Sequence, residues 1–209
     1  MYLLRSQVNV APGRAREMEE WWTTLGETRK AAGALGQTLL RSYAYPQKYT
    51  LVGRYPDVGT SWAFSKSAEL TAVRKSLPTG ATSLAAPQEG YVDVLDVDAD
   101  GFDPADTRCE VLVDWSVALD KAQAFEDSRK ELFELRKRLQ PGFMSNRLRV
   151  SAGIRNKFLI IQIFRDVESA MRQSREAVEE LRAFGRSHSY ADYGAPSPAA
   201  EAHYVVHRI

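Results

Sequence analysis

The mixed apolar and polar run over residues 3–10 reads as a strand, and at APG (11–13) the pattern changes to a helical spacing that continues to about residue 32. Met18, Trp21, Trp22, Leu25 and Arg29 fall on one side of that predicted helix. Gly33 and Gly36 follow it, and glycine is the residue that most readily ends a helix through a left-handed turn. Two alternating runs, 38–45 and 49–55, are joined by the short turn PQK and predict a hairpin. A broken helical stretch covers 58–77, where Leu70, Val73 and Leu77 are spaced for one face. A loop rich in Pro, Gly, Ala and Ser follows over 78–90, and a strand over 91–97 completes the order β-α-β-β-α-β.

The acidic stretch DADGFDPADT (98–107) has the composition of an exposed connection, and after it the pattern restarts. A strand is predicted over 109–116 and a helix over 120–139 with Phe125, Leu132, Phe133 and Leu139 as apolar members. QPG (140–142) ends that helix; a hairpin over 143–150 and 157–164, a helix over 167–184 and a strand over 202–209 follow. The end of the third strand carries the same signature twice, RYPDV (54–58) and IFRDV (163–167), with Asp57 and Asp166 each placed to cap the next helix. These correspondences indicate an internal duplication. The predicted fold class is α+β, two tandem ferredoxin-like (βαββαβ) repeats over 1–97 and 108–209 with a linker at 98–107. FLIIQIF (158–164) is apolar on both alternating sets of positions and therefore needs cover on both faces. Packing the bare faces of the two sheets against each other, as an intramolecular dimeric α/β barrel, satisfies that need.

Composition narrows the partners. With 44% hydrophobic and 26% charged residues the chain can bury a sizeable core, and 28 basic against 27 acidic side chains leave a net charge of +1. That balance points to neither nucleic acid nor an anionic membrane surface. The apolar run at the N-terminus is short and interrupted by Arg5, and no segment approaches the length of a spanning helix, so a cytoplasmic protein is expected. Cys109, alone of its kind, sits in the strand-like RCEVLVDW and is expected in the core. His203 and His207 share a strand face but stand about 13 Å apart at 3.3 Å per residue, too far to chelate one ion together. No metalloprotease, dinucleotide-binding, P-loop or nucleophile-elbow motif occurs, so no metal site is expected.

Three stretches of the first half carry a family resemblance: VAPG (10–13), the turn at Gly36 followed by LLRSYAYPQKYTLVGRY (39–55), and WAFSKSAEL (62–70). With them the chain resembles the antibiotic biosynthesis monooxygenase (ABM) superfamily of dimeric α/β-barrel proteins, in tandem. The resemblance implies the fold above and three functional readings. The first is a cofactor-independent monooxygenase acting on a flat aromatic molecule, in which the substrate carbanion or phenolate itself reduces dioxygen. The second is a non-catalytic ligand-binding or assembly protein. The third is a haem-binding or haem-degrading protein. In the haem-degrading branch the axial histidine would fall on Val73 or near Arg182 and the first-strand asparagine near Ser6, so the cofactor expectation is none, with haem as the alternative.

Aromatic residues supply the site expectation. Trp21, Trp22, Tyr43, Tyr45, Trp62, Phe64 and Trp115 lie on elements that in this fold surround the space between sheet and helices. They either wall a cavity or pack the core. Arg41, on the predicted strand face of Leu39, Tyr43 and Tyr45, calls for a carboxylate such as Asp93 or Asp114, or an anionic ligand. The candidate pocket residues are therefore Arg41, Tyr43, Trp22, Trp62, Phe64, Trp115 and, after the last helix, His188. The expected partner is a small aromatic molecule, and the covalent pseudo-dimer is consistent with either a monomer or a homodimer.

Overall fold

The computed structural model describes residues 1–172, 174–188 and 199–209, with the backbone alone at residues 84 and 85. The chain forms two compact units, Met1–Val92 with Val205–Ile209, and Asp93–Tyr204. Each unit is ferredoxin-like, which makes the chain α+β. Among the described residues no helix is long and apolar enough to cross a membrane.

In unit 1, β1 (Tyr2–Val10) leads to α1 (Ala15–Ala31), then to the hairpin of β2 (Gly36–Ser42) and β3 (Lys48–Tyr55), to α2 (Val58–Ser65) and α3 (Ala68–Lys75), and to the first part of β4 (Thr82–Asp98). β1 is the central strand, antiparallel to β3 and β4, and β2 lies outside β3. Met18, Trp22, Leu25 and Arg29 recur at helical spacing and form the buried stripe of α1. Gly36 is required where β2 begins. Its φ is +156°, and a Cβ there would meet the carbonyl oxygen of Ile209 at 2.3 Å, where Gln37 and Ile209 exchange backbone hydrogen bonds of 3.0 and 2.9 Å.

Unit 2 repeats the order with β5 (Cys109–Ser116), α4 (Ala122–Leu139), β6 (Phe143–Ser151), β7 (Lys157–Phe164), α5 (Val167–Met171), α6 (Arg175–Ser187) and β8 (Ala199–Arg208). β5 pairs with β7 and β8, and β6 pairs with β7. Seven of the eight residues of β7 are buried, as its apolar composition on both faces requires. Residues 93–98 of β4 are held to β6 by ion pairs: Arg149 with Asp93 (2.8 Å) and Asp96, and Arg147 with Asp96 (3.2 Å) and Asp98 (2.8 Å).

Three elements depart from the sequence expectation, each for a local reason. The stretch over 167–184, expected as one helix, divides at Ser174, whose hydroxyl caps α6 by accepting from the N–H of Ala177; Ser67 caps α3 in the same way at the break expected within 58–77. Strand β2 ends at Ser42 rather than Tyr45, because the Ser42 hydroxyl accepts from the N–H of Tyr45 and turns the chain. Strand β4 starts at Thr82, well before the expected residue 91. Pairing with β1 accommodates Pro87 in a register shift between Arg5↔Glu89 and Gln7↔Ala86, where a missing N–H is tolerated.

Asp57 and Asp166 cap α2 and α5, accepting from Thr60 N–H and Ser169 N–H at 2.7 Å each. Those backbone N–H groups, the largest influence, hold both carboxyls below their usual range. A depressed folded pKa gives stability that is present above the unfolded value and is lost as pH falls through the folded one. Asp166→Ala should lower the melting temperature at pH 7 by roughly 2–4 °C. The gap to the parent protein should close as the pH is lowered below about 3.9, and equal melting temperatures at pH 7 would refute the cap.

Candidate functional site

The two units use matching helix–sheet frames with different interiors. The buried positions Met18, Trp22, Leu25 and Arg29 of α1 are spaced as Phe125, Arg129, Leu132 and Arg136 of α4. This correspondence sets Gly26 against Phe133. On the third strands, matching Tyr55 with Phe164 sets Gly53 against Gln162. In unit 2 the interior is occupied. Phe125, Phe133 and Phe158 are fully buried, with Phe125 and Phe158 rings 4.7 Å apart and the Arg129 guanidinium 4.2 Å from the Phe125 ring centre.

Unit 1 has a cavity in the corresponding place, with a volume of about 390 Å³. Its floor is the sheet, with Leu4, Ser6 and Val8 on one face of β1 and Leu51 and Tyr55 on β3. Gly53 lies between those last two on the same face and contributes no side chain. The walls are Met18, Trp21, Trp22, Leu25 and Arg29 of α1, Ser61 and Phe64 of α2, and Leu70 of α3. Met18, Trp22, Arg29 and Phe64 are buried, whereas Ser65, Arg74 and Gln88 reach solvent at the rim. The indole N–H of Trp21 donates to the carbonyl of Val73 (3.0 Å) and fixes α3 against α1.

The chemistry at one end of the cavity is that of a cation in apolar surroundings. The Arg29 guanidinium lies 5.8 Å from the Tyr55 ring centre and 5.7 Å from that of Phe64, and its Nη1 donates to the Gln37 side-chain oxygen. The Gln37 amide in turn donates to the Trp22 carbonyl at 2.8 Å. Burial pulls the Arg29 pKa down; Tyr55 opposes that shift and Arg74 adds to it. Burial likewise raises the Tyr55 phenol above its ordinary value. A Cβ at Gly53 would sit 2.9 Å from Arg29 Nη1, so the glycine is what admits the guanidinium. Among the described residues, no aspartate, glutamate, histidine or cysteine lines this cavity.

The residues proposed from sequence are distributed unevenly. Trp22 and Phe64 line the cavity. Trp62 is 66% exposed with the Lys66 ammonium 4.7 Å over its ring, and Tyr43 and Tyr45, beyond the end of β2, are 49% and 65% exposed. Arg41 pairs in register with Tyr49, away from the cavity lining. Burial pushes the Tyr49 phenol up to about 12, and its hydroxyl donates to Glu19 at 2.8 Å. Asp93, offered as a partner for Arg41, is held by Arg149. Trp115 belongs to unit 2 and packs edge-on to Phe125 at 5.1 Å. His188 ends α6, stacked on Phe184 at 4.0 Å with Nδ1 2.9 Å from the Phe184 carbonyl. Ser6 lines the cavity, and Val73 packs against the core around it. The residue that sequence reasoning passed over is Arg29. Its signal was present, a cation on the apolar stripe of α1.

Comparison with known proteins gives a structural likeness only. No family model and no curated protein matches the sequence. Over 99% of this chain and 93% of the other, the fold matches that of a provisionally assigned monooxygenase from Fusobacterium nucleatum, with a TM-score of 0.74 at 12% identity. An anthrone oxidase-like protein matches over 100% of this chain and 92% of its own, with a TM-score of 0.68 at 13% identity. A protein described as a major regulator of staphylococcal pathogenesis matches over 99% and 100%, with a TM-score of 0.55 at 12% identity. At these identities the likeness is one of fold.

Outside the cavity, Cys109 is fully buried, and burial pushes its thiol up to about 12. The native protein should leave a thiol reagent such as Ellman's unconsumed at pH 8 and consume one equivalent once denatured. Rapid reaction of the folded protein would show that β5 opens.

Proposed function

We propose, from the fold that this chain shares with the ABM superfamily, that unit 1 binds a flat aromatic molecule in its cavity and oxidises it as a cofactor-independent monooxygenase. The observation that carries this reading is the cavity itself, at about 390 Å³ and walled by Trp22, Tyr55 and Phe64. That size is within the usual range for small-molecule sites, and its lining is the mostly apolar kind with few polar groups. The fold likeness to an anthrone oxidase-like protein supports the choice of a hydroxylated polycyclic substrate.

In such a reaction a ring methylene becomes a carbonyl. The substrate loses two hydrogens and gains one oxygen atom from O2, and the second oxygen atom leaves as water. The substrate supplies the electrons once it is a phenolate or enolate. The protein's part is to exclude water, hold the rings and favour the anionic form. Trp22, Phe64 and Leu70 serve the first two ends, and the Arg29 guanidinium serves the third. A second reading, ligand binding without turnover, is favoured by the lining, which among the described residues offers no carboxylate or imidazole to act as base.

One experiment separates the two. Anthrone should quench the fluorescence of Trp21 and Trp22 saturably, and an oxygen electrode should record one O2 consumed per anthraquinone formed. Quenching without oxygen uptake selects the binding role, and absence of quenching eliminates both. Leu70→Trp, which fills the cavity from α3, should abolish both signals. Trp62→Ala and Tyr43→Ala, at exposed positions, should leave turnover unchanged; loss of turnover in either would move the site to the surface that carries that residue.

A further inference from the structure

We infer that the ligand of the unit 1 cavity is an anion, a flat apolar body carrying a carboxylate or phenolate oxygen that pairs with the Arg29 guanidinium. The inference rests on the cavity being the ligand site proposed above and adds the charge that the ligand must carry.

Arg29 is 6% exposed, and its Nε has no hydrogen-bond partner. Nη1 is engaged by Gln37, whose neutral amide satisfies a donor but cannot balance a charge. Two other buried arginines of this chain are paired with acids. Arg5, 5% exposed, is paired with Glu89, and Arg149, 2% exposed, with Asp93 and Asp96. Arg29 has no such counter-ion among the described residues, although an isolated buried charge is among the costliest features a fold can carry.

The guanidinium is also held in place. Tyr55 and Phe64 flank it, Gln37 grips one nitrogen, and Gly53 leaves the space that it fills. Gln37 is itself fixed by its bond to the Trp22 carbonyl. The guanidinium therefore stays in one orientation at the cavity wall, where its charge can pair with an oxyanion. Arg74 at the rim adds a second cation, and no acidic residue among those lining the cavity offsets either one. A buried charge without a carboxylate and an adjoining aromatic-walled space together point to an anionic aromatic ligand.

Calorimetric titration with two isosteric probes, 2-naphthoate and 2-naphthamide, tests the charge separately from the shape. The naphthoate should bind at least tenfold more tightly, the ratio expected of one desolvated charge-assisted contact. In Arg29→Met that advantage should vanish while the naphthamide keeps its affinity within about twofold, since the cavity's shape survives. Gln37→Glu, which hands Arg29 an internal carboxylate, should erase the preference as well. A purely structural role for Arg29 would change stability in these variants and leave the naphthoate-to-naphthamide ratio as it was. Equal binding of the two probes to the parent protein overturns the anion assignment and leaves the cavity reading standing. Failure of both probes to bind overturns both.

Discussion

A guanidinium lying against a glycine governs the interior of unit 1. Gly53 occupies a position on β3 where a Cβ would press on Arg29 Nη1, so the arginine can fold back over the sheet only because that side chain is missing. In unit 2 the matching strand position is Gln162, and its side-chain oxygen lies 3.4 Å from Arg136, the counterpart of Arg29. The glutamine therefore comes from the third strand in unit 2, whereas in unit 1 it is Gln37 on the second. Gly26 completes the difference. A Cβ there would fall 2.8 Å from the Gln37 amide, while the corresponding Phe133 is fully buried. The two glycines thus admit neighbouring side chains at positions where unit 2 carries Phe133 and Gln162.

Much of the scaffold was legible because it rests on local chemistry. RYPDV and IFRDV marked the ends of two equivalent strands, and both aspartates cap as their position implied, Asp57 despite the glycine two residues later. The break inside 167–184 was harder to see than the one inside 58–77, because Ser174 competes with helix propagation only when the chain around it can turn. The early start of β4 was hidden by Pro87 and its small neighbours, whose loop-like composition is overridden by pairing with β1.

The site was legible in kind and only partly in place. Aromatic residues drew attention to the space between helices and sheet, and Trp22 and Phe64 are there. Trp62 is two positions before Phe64 on the same helix, and a rotation of about 200° between them puts one in the cavity and the other in solvent. Tyr43 and Tyr45 follow a strand pattern that the Ser42 turn has already ended. Arg41 drew notice as a cation among apolar strand neighbours, while Arg29, on a helix face that tolerates a charged member at its end, did not. Burial separates these two arginines, and burial depends on Gly53, a contact between elements far apart in sequence.

The amide at Gln37 is the decisive choice of chemistry. A glutamate of the same length would give Arg29 the counter-ion that Arg5 and Arg149 have, and the cavity would then close its own electrostatic demand. With glutamine, the hydrogen bond orients the guanidinium and leaves its charge unbalanced. The cost of that charge is borne by unit 1, and the proposed anion would be bound more tightly by the relief of it. On the proposed anion reading, stability and recognition are coupled through this one residue.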